Sequence, residues 1–294
     1  MKSTELLYRG GEKLKNGGIV SPICESGLIL SHLLGKADDN LLINPIEVNT
    51  AEVSSFDKLI NLRLNKQPLA YLIGYQYFYG RKFFVTEGVF IPRYDSEILV
   101  LAVLNYLRSD KVYNINTRYN ALDWGIGTGV LMITLILECP QMKFVGVDIN
   151  HQACQVAEIN VKHHGLVNTT PIYQVDGFTY SKLVKSGSID ILISNPPYIK
   201  SSLLEELSPE VQKEPISALL GGKQGIEVSL KILESYYDKI AVNGRVFLET
   251  DNAKLLIKEA IRYGYQPENT YPDLSGQERV VVFKKRRVVD GKNI

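Results

Sequence analysis

The sequence lacks the features that would direct a protein into a membrane, out of the cell or onto a polyanion. None of its apolar runs is long enough to span a bilayer, and the start, Met1 to Glu5, lacks the hydrophobic core of a signal peptide. Glu5 and Glu12 are untypical of an organelle transit peptide, which is poor in acidic residues. The formal net charge of +1 provides no general attraction to nucleic acid or lipid. We therefore expect a cytoplasmic protein.

Cysteine and histidine are also scarce. The three cysteines, Cys24, Cys139 and Cys154, lie far apart and have neither metal-ligand spacing nor a paired framework, so we expect reduced, buried thiols. No Ser-His-Asp or Cys-His arrangement is evident, and the histidines are interpreted as surface or hydrogen-bonded side chains. These four are His32, His151, His163 and His164.

What is present is typical of a soluble globular chain, with 45% hydrophobic and 22% charged residues. The length of 294 residues favours a small domain joined to a medium one. In the first part, Phe56, Leu59, Ile60 and Leu64 fall on one helical face, and Pro68 follows. We expect a small helical bundle over roughly the first 70 residues.

The pattern changes at Tyr71 and again near Ser96. Between Tyr71 and Pro92, aromatic and β-branched residues alternate with glycines, which predicts a β-hairpin connector. From about Ser96 onward, strand and helix patterns alternate. Such alternation predicts an α/β fold in which helices cover both faces of a mostly parallel sheet, with ligands at the carboxyl ends of the strands.

A glycine loop follows the first predicted strand of this part, at Gly125-Ile126-Gly127-Thr128-Gly129. A dinucleotide fingerprint would need another glycine at position 130, which is Val130, so that motif is absent. The loop resembles instead the cofactor loop of S-adenosylmethionine-dependent methyltransferases. Glycine-bearing turns are common, so the loop alone is weak evidence.

Two acidic residues follow the next two predicted strands. Asp148 is placed to accept the hydroxyls of a ribose, and Asn150 is placed to cap the next helix. Asp176 and Gly177 close the third strand, where they would face the adenine ring, although a plain turn is the other interpretation. Together these groups describe a nucleoside-shaped site for S-adenosylmethionine.

The fourth predicted strand is ended by Asn195-Pro196-Pro197-Tyr198. The Asn195 oxygen and the Pro196 carbonyl can accept both hydrogens of a planar NH2 group, and Tyr198 can stack on its plane. The stiff frame of Pro196 and Pro197 would hold that group beside the methyl donor, with Asn195 bordering both. The motif therefore predicts methylation of an amide or aromatic amine, without specifying which.

Both motifs, with several others, resemble the protein-(glutamine-N5) methyltransferases that modify peptide chain release factors. The likeness covers nearly the whole chain. The other matching stretches are Pro68 to Gly74, Phe90 to Arg93, Ser96-Glu97, Glu214-Pro215, Ala218-Leu219, Gly221-Gly222 and Glu278 to Val281.

The resemblance implies a Rossmann-like seven-stranded methyltransferase sheet whose last strand is antiparallel, with a small N-terminal helical domain and a β-hairpin linker. We expect a substrate-docking domain at 1–72, the linker at 73–95, the methyltransferase domain at 96–288 and a tail at 289–294. The implied reaction moves a methyl group from S-adenosylmethionine to the glutamine of a Gly-Gly-Gln motif. Asn195 and the Pro196 carbonyl would hold the amide, and the partner would be a class I release factor rather than nucleic acid.

Several positions depart from the family pattern, namely Tyr94, Lys213 and Thr250-Asp251, and they affect expected packing and substrate fit more than chemistry. Arg93 and Glu97 are interpreted as an ion pair beside the cofactor, with either a structural or a functional role.

The sequence alone leaves other functions open. A glutamine methyltransferase acting on a ribosomal protein would share both motifs. A DNA adenine-N6 methyltransferase would use the same frame on a flipped base. It would, however, need a basic stripe, and the basic run Lys284 to Arg287 is interpreted as a solvated tail. A non-catalytic module that keeps the fold is the remaining alternative, which the intact Asn195 and Asp148 disfavour.

Overall fold

A computed structural model of the protein describes residues 1–36, 42–108, 118–166 and 170–286, and the backbone of 288–289 and 292–293. The chain forms two compact units. The first comprises residues 1–75 together with 207–213, and the second comprises residues 76–206 and 214–294. Among the described residues, no helix is both long and apolar enough to cross a membrane.

The first unit is helical. Its helices are α1 (Ser3–Asn16), α2 (Pro22–Leu34), α3 (Thr50–Leu64) and α4 (Leu69–Ile73). Their apolar faces meet in one core that includes Leu6, Leu30, Phe56 and Ile60. The periodicity therefore predicted this core correctly, since α3 presents Phe56 and Ile60 to it.

A buried cation lies in the same unit. The Arg63 side chain on α3 is 5% exposed and pairs with Glu25 at 2.5 Å and with Glu210 at 2.8 Å. Glu210 belongs to the segment 207–213, so this ion pair ties that segment to the helices. A buried arginine requires such partners, because an unpaired charge away from water is costly.

A single hairpin follows the helices, formed by β1 (Tyr75–Phe78) and β2 (Arg81–Phe84). Its turn contains Tyr79, which adopts a left-handed φ of 50° that is unusual for a non-glycine residue. The Tyr79 N–H donates to Glu97 Oε1 at 2.7 Å. Glu97 thus stabilises the hairpin turn.

The second unit is built on a seven-stranded sheet. Its strands are β3 (Tyr119–Trp124), β4 (Met142–Asp148), β5 (Ile172–Gln174), β6 (Ile189–Ser194), β9 (Ile240–Glu249), β10 (Tyr265–Pro272) and β11 (Glu278–Lys285). Their order is β10-β11-β9-β6-β3-β4-β5. The last of them in the chain, β11, is antiparallel to both neighbours, whereas β9, β6, β3, β4 and β5 pair in parallel.

Helices and two small strand pairs complete this unit. The helices are α5 (Glu97–Arg108), α6 (Val130–Glu138), α7 (His151–His163), α8 (Gly177–Tyr180), α9 (Glu227–Tyr236) and α10 (Ala253–Ala260). Outside the large sheet, β7 (Ile199–Lys200) pairs in parallel with β8 (Leu220–Gly222), and β12 (Val288–Val289) pairs with β13 (Lys292–Asn293).

Both faces of the large sheet are covered. Ala121 and Phe247 join a core with α5, α6 and α7, whereas the adjacent Leu122 and Leu248 join a core with α9 and α10. Successive side chains of a strand point to opposite faces, so each strand contributes to both cores. The predicted α/β fold with a sheet covered on both sides is confirmed.

Some expectations differ from the structure. Cys24 is exposed rather than buried, because α2 presents it away from the core, although all three thiols are free. Lys284 and Lys285 lie in β11, where Lys284 pairs with Glu268 at 3.3 Å, so they are not a solvated tail. Arg287 lies outside the described residues, as do residues 290, 291 and 294 of the predicted tail at 289–294. The domain limits stay a prediction.

One buried amide joins the hairpin to the glycine loop. Asn160 on α7 is fully buried, and its Oδ1 accepts from the Phe84 N–H at 2.7 Å. Its Nδ2 donates to the Phe84 carbonyl at 3.0 Å and to the Thr128 carbonyl at 2.9 Å. The side chain therefore satisfies three backbone groups that would otherwise lie buried without partners.

We predict that Asn160→Ala destabilises the second unit by about 2–4 kcal/mol, because it leaves these backbone groups unpaired and opens a small cavity. Thermal or urea unfolding measures the change. Asn105→Ala is the matched control, since Asn105 is exposed on α5 and should change the stability by less than about 0.5 kcal/mol. Equal effects of the two substitutions would contradict the role given to Asn160.

Candidate active site

The site lies where the connections of the sheet change direction. Strand β3 is flanked by β4, which follows it in the chain, and by β6, which comes later. In an open α/β sheet, ligands bind outside the carboxyl ends of the strands at this switch point. A cleft is present there, lined by Phe90, Pro92, Ser96, Trp124 to Thr128, Val130, Leu131, Val147 to Asn150, Ala153, Asp176, Gly177, Asn195, Pro197, Pro215, Ser217 and Ala218.

The glycine loop forms the floor of this cleft. Gly125, Gly127 and Gly129 have φ values of 72°, 54° and 82°, a region that favours glycine. An added Cβ would meet no atom within 4 Å at Gly125 or Gly127, so both face open space. Glycine thus provides the turn and leaves room for a ligand to approach the backbone.

Asp148 lies beside the loop and holds it. Its Oδ2 accepts from the Gly127 N–H at 2.9 Å, and its Oδ1 accepts from the Asn150 N–H at 2.8 Å. Burial raises the pKa of the Asp148 carboxyl, and the backbone N–H groups of Asn150 and Gly127 oppose that rise. Asn150 itself caps α7 by accepting from Gln152, as the sequence predicted.

Asp176 and Gly177 form another part of the wall. Asp176 caps the short α8 by accepting from the Phe178 N–H at 3.1 Å, and it also lines the cleft. A Cβ on Gly177 would lie 2.1 Å from Trp124 Nε1, so only glycine fits beside the indole. That Nε1 is a buried donor without a partner among the described residues.

The Asn-Pro-Pro-Tyr segment borders the opposite side of the cleft. Asn195 follows β6 directly, and its Nδ2 donates to Ser96 Oγ at 2.8 Å. Within the described parts of the chain, no donor reaches Asn195 Oδ1 or the Pro196 carbonyl. These two acceptors, on neighbouring residues, have no donor among the described residues, and two acceptors are what an NH2 group requires.

Two glycines set the position of this segment. A Cβ on Gly221 would lie 2.5 Å from Tyr198 Cα, and one on Gly225 would lie 2.3 Å from the Tyr198 carbonyl oxygen. Because these neighbours are backbone atoms, neither position has room for a side chain. The Gly221-Gly222 stretch of the family pattern is thus explained by close packing of β8 against the segment that contains β7.

Arg93 and Glu97 do not form the expected ion pair. Arg93 pairs with Glu214, whose Oε2 also accepts from the Ile91 N–H at 3.0 Å, whereas Glu97 binds the hairpin turn. Glu214 is 4% exposed. It joins the segments that carry Pro92 and Pro215, two residues of the cleft wall.

Some residues of the site were not predicted from the sequence. Trp124, Phe90 and Ser217 line the cleft, and Glu249 binds the Tyr198 hydroxyl at 3.1 Å. The stretches Phe90 to Arg93 and Ser96-Glu97 carried a signal in the family pattern, but no spacing rule marked Glu249.

The structure brings most predicted site residues to one cleft. Its lining includes Gly125, Ile126, Gly127, Thr128, Asp148, Asp176, Gly177, Asn195 and Pro197. Gly129 is the N-cap of α6 and does not line the cleft, and Pro196 and Tyr198 flank Pro197 without lining the cleft. The individual roles assigned to these residues stay predictions.

Comparison with known proteins gives matches over most of the chain. Residues 5–74 match the PrmC N-terminal domain, and residues 102–211 match the methyltransferase small domain. The chain is 32% identical to a bifunctional methyltransferase of Rickettsia typhi over 94% of its own length, but it spans only 56% of that protein.

Two other relatives are matched over most of their length. Both carry the name release factor glutamine methyltransferase. One, from Bacillus cereus, is 32% identical over 86% of this chain and 89% of its own length. The other, from Thermodesulfovibrio yellowstonii, is 31% identical over 90% of this chain and 93% of its own length. Because the chain is 31% and 32% identical to these two relatives and is matched over most of their length, it belongs to the release factor glutamine methyltransferase family.

Proposed function

We propose that this protein transfers a methyl group from S-adenosylmethionine to the side-chain amide nitrogen of the glutamine in the Gly-Gly-Gln motif of class I peptide chain release factors. The observation that carries the proposal is that Asn195 Oδ1, on a residue that lines the glycine-loop cleft, and the carbonyl of the next residue, Pro196, have no donor among the described residues. The names of the relatives support a release factor glutamine as the acceptor.

The cleft has the chemistry that S-adenosylmethionine requires. Gly125 and Gly127 leave open space at the loop, and the Asp148 carboxylate at the end of β4 has acceptor capacity left for ribose hydroxyls. Apolar walls at Phe90 and Ile149 suit a flat base, with Asp176 at its edge. These residues would hold the nucleoside part of the cofactor.

The protein's part in the reaction is mainly to position the amide. S-adenosylmethionine supplies an electrophilic methyl group on a sulfonium. An amide nitrogen is a poor nucleophile because its lone pair is delocalised. Asn195 Oδ1 and the Pro196 carbonyl accept both amide hydrogens, which fixes the nitrogen for attack and stabilises the positive charge that develops on it. Tyr198 packs on the amide plane and excludes water. No strong base is required, since the methylated nitrogen loses its proton readily.

The first prediction concerns the substrate. Purified protein with radiolabelled S-adenosylmethionine should label a class I release factor, and Gln→Ala in the Gly-Gly-Gln loop of the acceptor should abolish incorporation. Duplex DNA and ribosomal protein are incubated in parallel as alternative acceptors. Labelling of either of these without labelling of the release factor would rule out the proposed substrate.

A second prediction concerns the amide clamp. Asn195→Ala removes one of the two acceptors, so kcat should fall by about 100- to 1,000-fold, as when one donor is lost from an oxyanion hole. Binding of S-adenosylmethionine, measured by calorimetry, should change far less. Unchanged turnover would refute the role of Asn195 in holding the amide.

A third prediction concerns the cofactor. Asp148→Ala should weaken binding of S-adenosylmethionine by about 10- to 100-fold, because the cleft loses a charged acceptor and the loop loses a backbone anchor. Glu158→Ala is the control, since it removes a carboxylate that is exposed on α7. The assignment fails if both variants bind the cofactor as the unchanged protein does.

A further inference from the structure

A buried tyrosine lies behind the Asp176-Gly177 wall of the cleft. Tyr236 is the last residue of α9 and has no exposed surface. Its hydroxyl donates to the Gly177 carbonyl oxygen at 2.6 Å. Among the described residues, the lining of the cleft includes Asp176 and Gly177 but not Tyr236. Burial raises the pKa of the Tyr236 hydroxyl, so this group keeps its proton near neutral pH and remains a donor.

The peptide group between Gly177 and Phe178 connects this hydroxyl to Asp176. In a trans peptide the carbonyl and the N–H point in opposite directions. Because the Gly177 carbonyl points to Tyr236, the Phe178 N–H points away from it, and this N–H donates to Asp176 Oδ1 at 3.1 Å. The other oxygen of Asp176 accepts from the Thr179 hydroxyl at 3.2 Å. The orientation of the Asp176 carboxylate is therefore linked to the Tyr236 hydroxyl.

The side chains around Gly177 leave this peptide group little room to move. A Cβ on Gly177 would lie 2.1 Å from Trp124 Nε1, so the indole packs directly against the backbone. The Phe178 ring packs on the same indole, with ring centroids 5.0 Å apart. Lys231 Nζ lies 3.9 Å from the centroid of the Phe178 ring, and Lys231 belongs to α9, like Tyr236. Helix α9 thus holds this wall of the cleft at two points.

We propose that Tyr236 is a positioning residue for the cofactor, which orients the Asp176 carboxylate toward the amino group of the adenine base through the Gly177–Phe178 peptide group. The proposal rests on the function proposed above. A carboxylate oxygen that accepts one hydrogen bond keeps a lone pair for a second, so Asp176 can still accept an N–H of the base. A base without the amino group gains less from this orientation.

The test compares two buried tyrosines whose hydroxyls differ in what they bind. Tyr265 belongs to the same core as Tyr236 and is equally buried, but its hydroxyl has no hydrogen-bond partner among the described residues. Tyr236→Phe and Tyr265→Phe each remove one oxygen atom. For the full chain, calorimetry measures binding of S-adenosylhomocysteine and of the analogue in which hypoxanthine replaces adenine.

The unchanged protein should prefer the adenine compound. Tyr236→Phe should weaken binding of this compound by about 3- to 10-fold, because one hydrogen bond is lost while the Gly177 carbonyl keeps the Ser181 N–H as a donor. Its affinity for the hypoxanthine compound should change less, so the preference for adenine should fall. The control Tyr265→Phe should leave both affinities unchanged. With saturating S-adenosylmethionine, kcat should also stay unchanged in Tyr236→Phe, since the amide clamp is intact.

A double-variant cycle tests the connection through Asp176. In a chain that already carries Asp176→Ala, Tyr236→Phe should cause little further loss of affinity, because the group through which it acts is absent. Trp124 provides a measurement that needs no cofactor, since it is the one tryptophan in the sequence and contacts Gly177. Its fluorescence emission should shift in Tyr236→Phe and not in Tyr265→Phe.

An unchanged preference for adenine in Tyr236→Phe would overturn the proposal. An equal loss of affinity for both compounds would also overturn it, as that indicates a general structural role. Failure of the proposed function is distinguishable, because binding is measured without a release factor. A chain that binds S-adenosylhomocysteine but labels no release factor would lose only its assigned acceptor.

Discussion

The parallel pairing of β3 with β6 is the constraint on which the site depends. Ala121 pairs with Ile191 and Asp123 with Ile193, and the Ser194 hydroxyl donates to the Trp124 carbonyl at 2.7 Å. Because the two strands run in the same direction and in register, they end side by side. The glycine loop that follows β3 and the Asn195 segment that follows β6 are therefore adjacent, although 70 residues separate the two strands' ends in sequence. Pro196 and Pro197 both lack a backbone N–H, so β6 cannot continue past this point.

Polar side chains that are buried or half-buried help to hold the chain in place around this pairing. Asn160, Asp148 and Glu214 each accept a backbone N–H from a different part of the chain, namely that of Phe84 at the end of β2, that of Gly127 and that of Ile91. Loops offer few apolar contacts, and their N–H groups lack the partners that a helix or sheet provides. A side-chain acceptor supplies such a partner, and Asn160 on α7 and Asp148 on β4 also provide a fixed position. Burying these groups costs free energy. In return, the loops are held in the precise geometry at the cleft that a methyl transfer requires.

Whether a feature of the fold or of the site could be predicted from the sequence depends on how far apart in the chain the interacting residues lie. Periodicity located α3, and the glycine and proline signals located the ends of α6 and β6, since these are set by neighbours a few residues away. The rule that parallel strands end at one edge predicts from the sequence alone that Asp148 and Asn195 lie near each other. The predicted partner of Arg93, Glu97, was wrong. The actual partner, Glu214, lies 121 residues further along the sequence, beyond the range of any local pattern.

Two other misses have specific physical reasons. Strand β10 contains Pro267 and was not predicted, because proline disfavours a strand interior. The structure tolerates it at the edge of the sheet, next to an irregularity between Pro267 and Asn269. Glu249 was not marked as a residue near the site, because nothing close to it in the sequence indicates what covers it. The fold shows that the hydroxyl of Tyr198, 51 residues away in sequence, donates to Glu249.

The amide clamp also limits what the cleft alone can select. Asn195 Oδ1 and the Pro196 carbonyl recognise two N–H donors on one planar nitrogen, and both a glutamine amide and an adenine amino group offer these. The choice between a glutamine amide and an adenine amino group must therefore depend on the parts of the protein that control which of them reaches the clamp. The described residues of β11 offer no free basic stripe, since Lys284 pairs with Glu268 and Lys285 lies over the Tyr237 ring. A flipped base would need such a stripe to hold its flanking phosphates. We propose that the helical unit, whose residues 5–74 match the PrmC N-terminal domain, selects the protein acceptor.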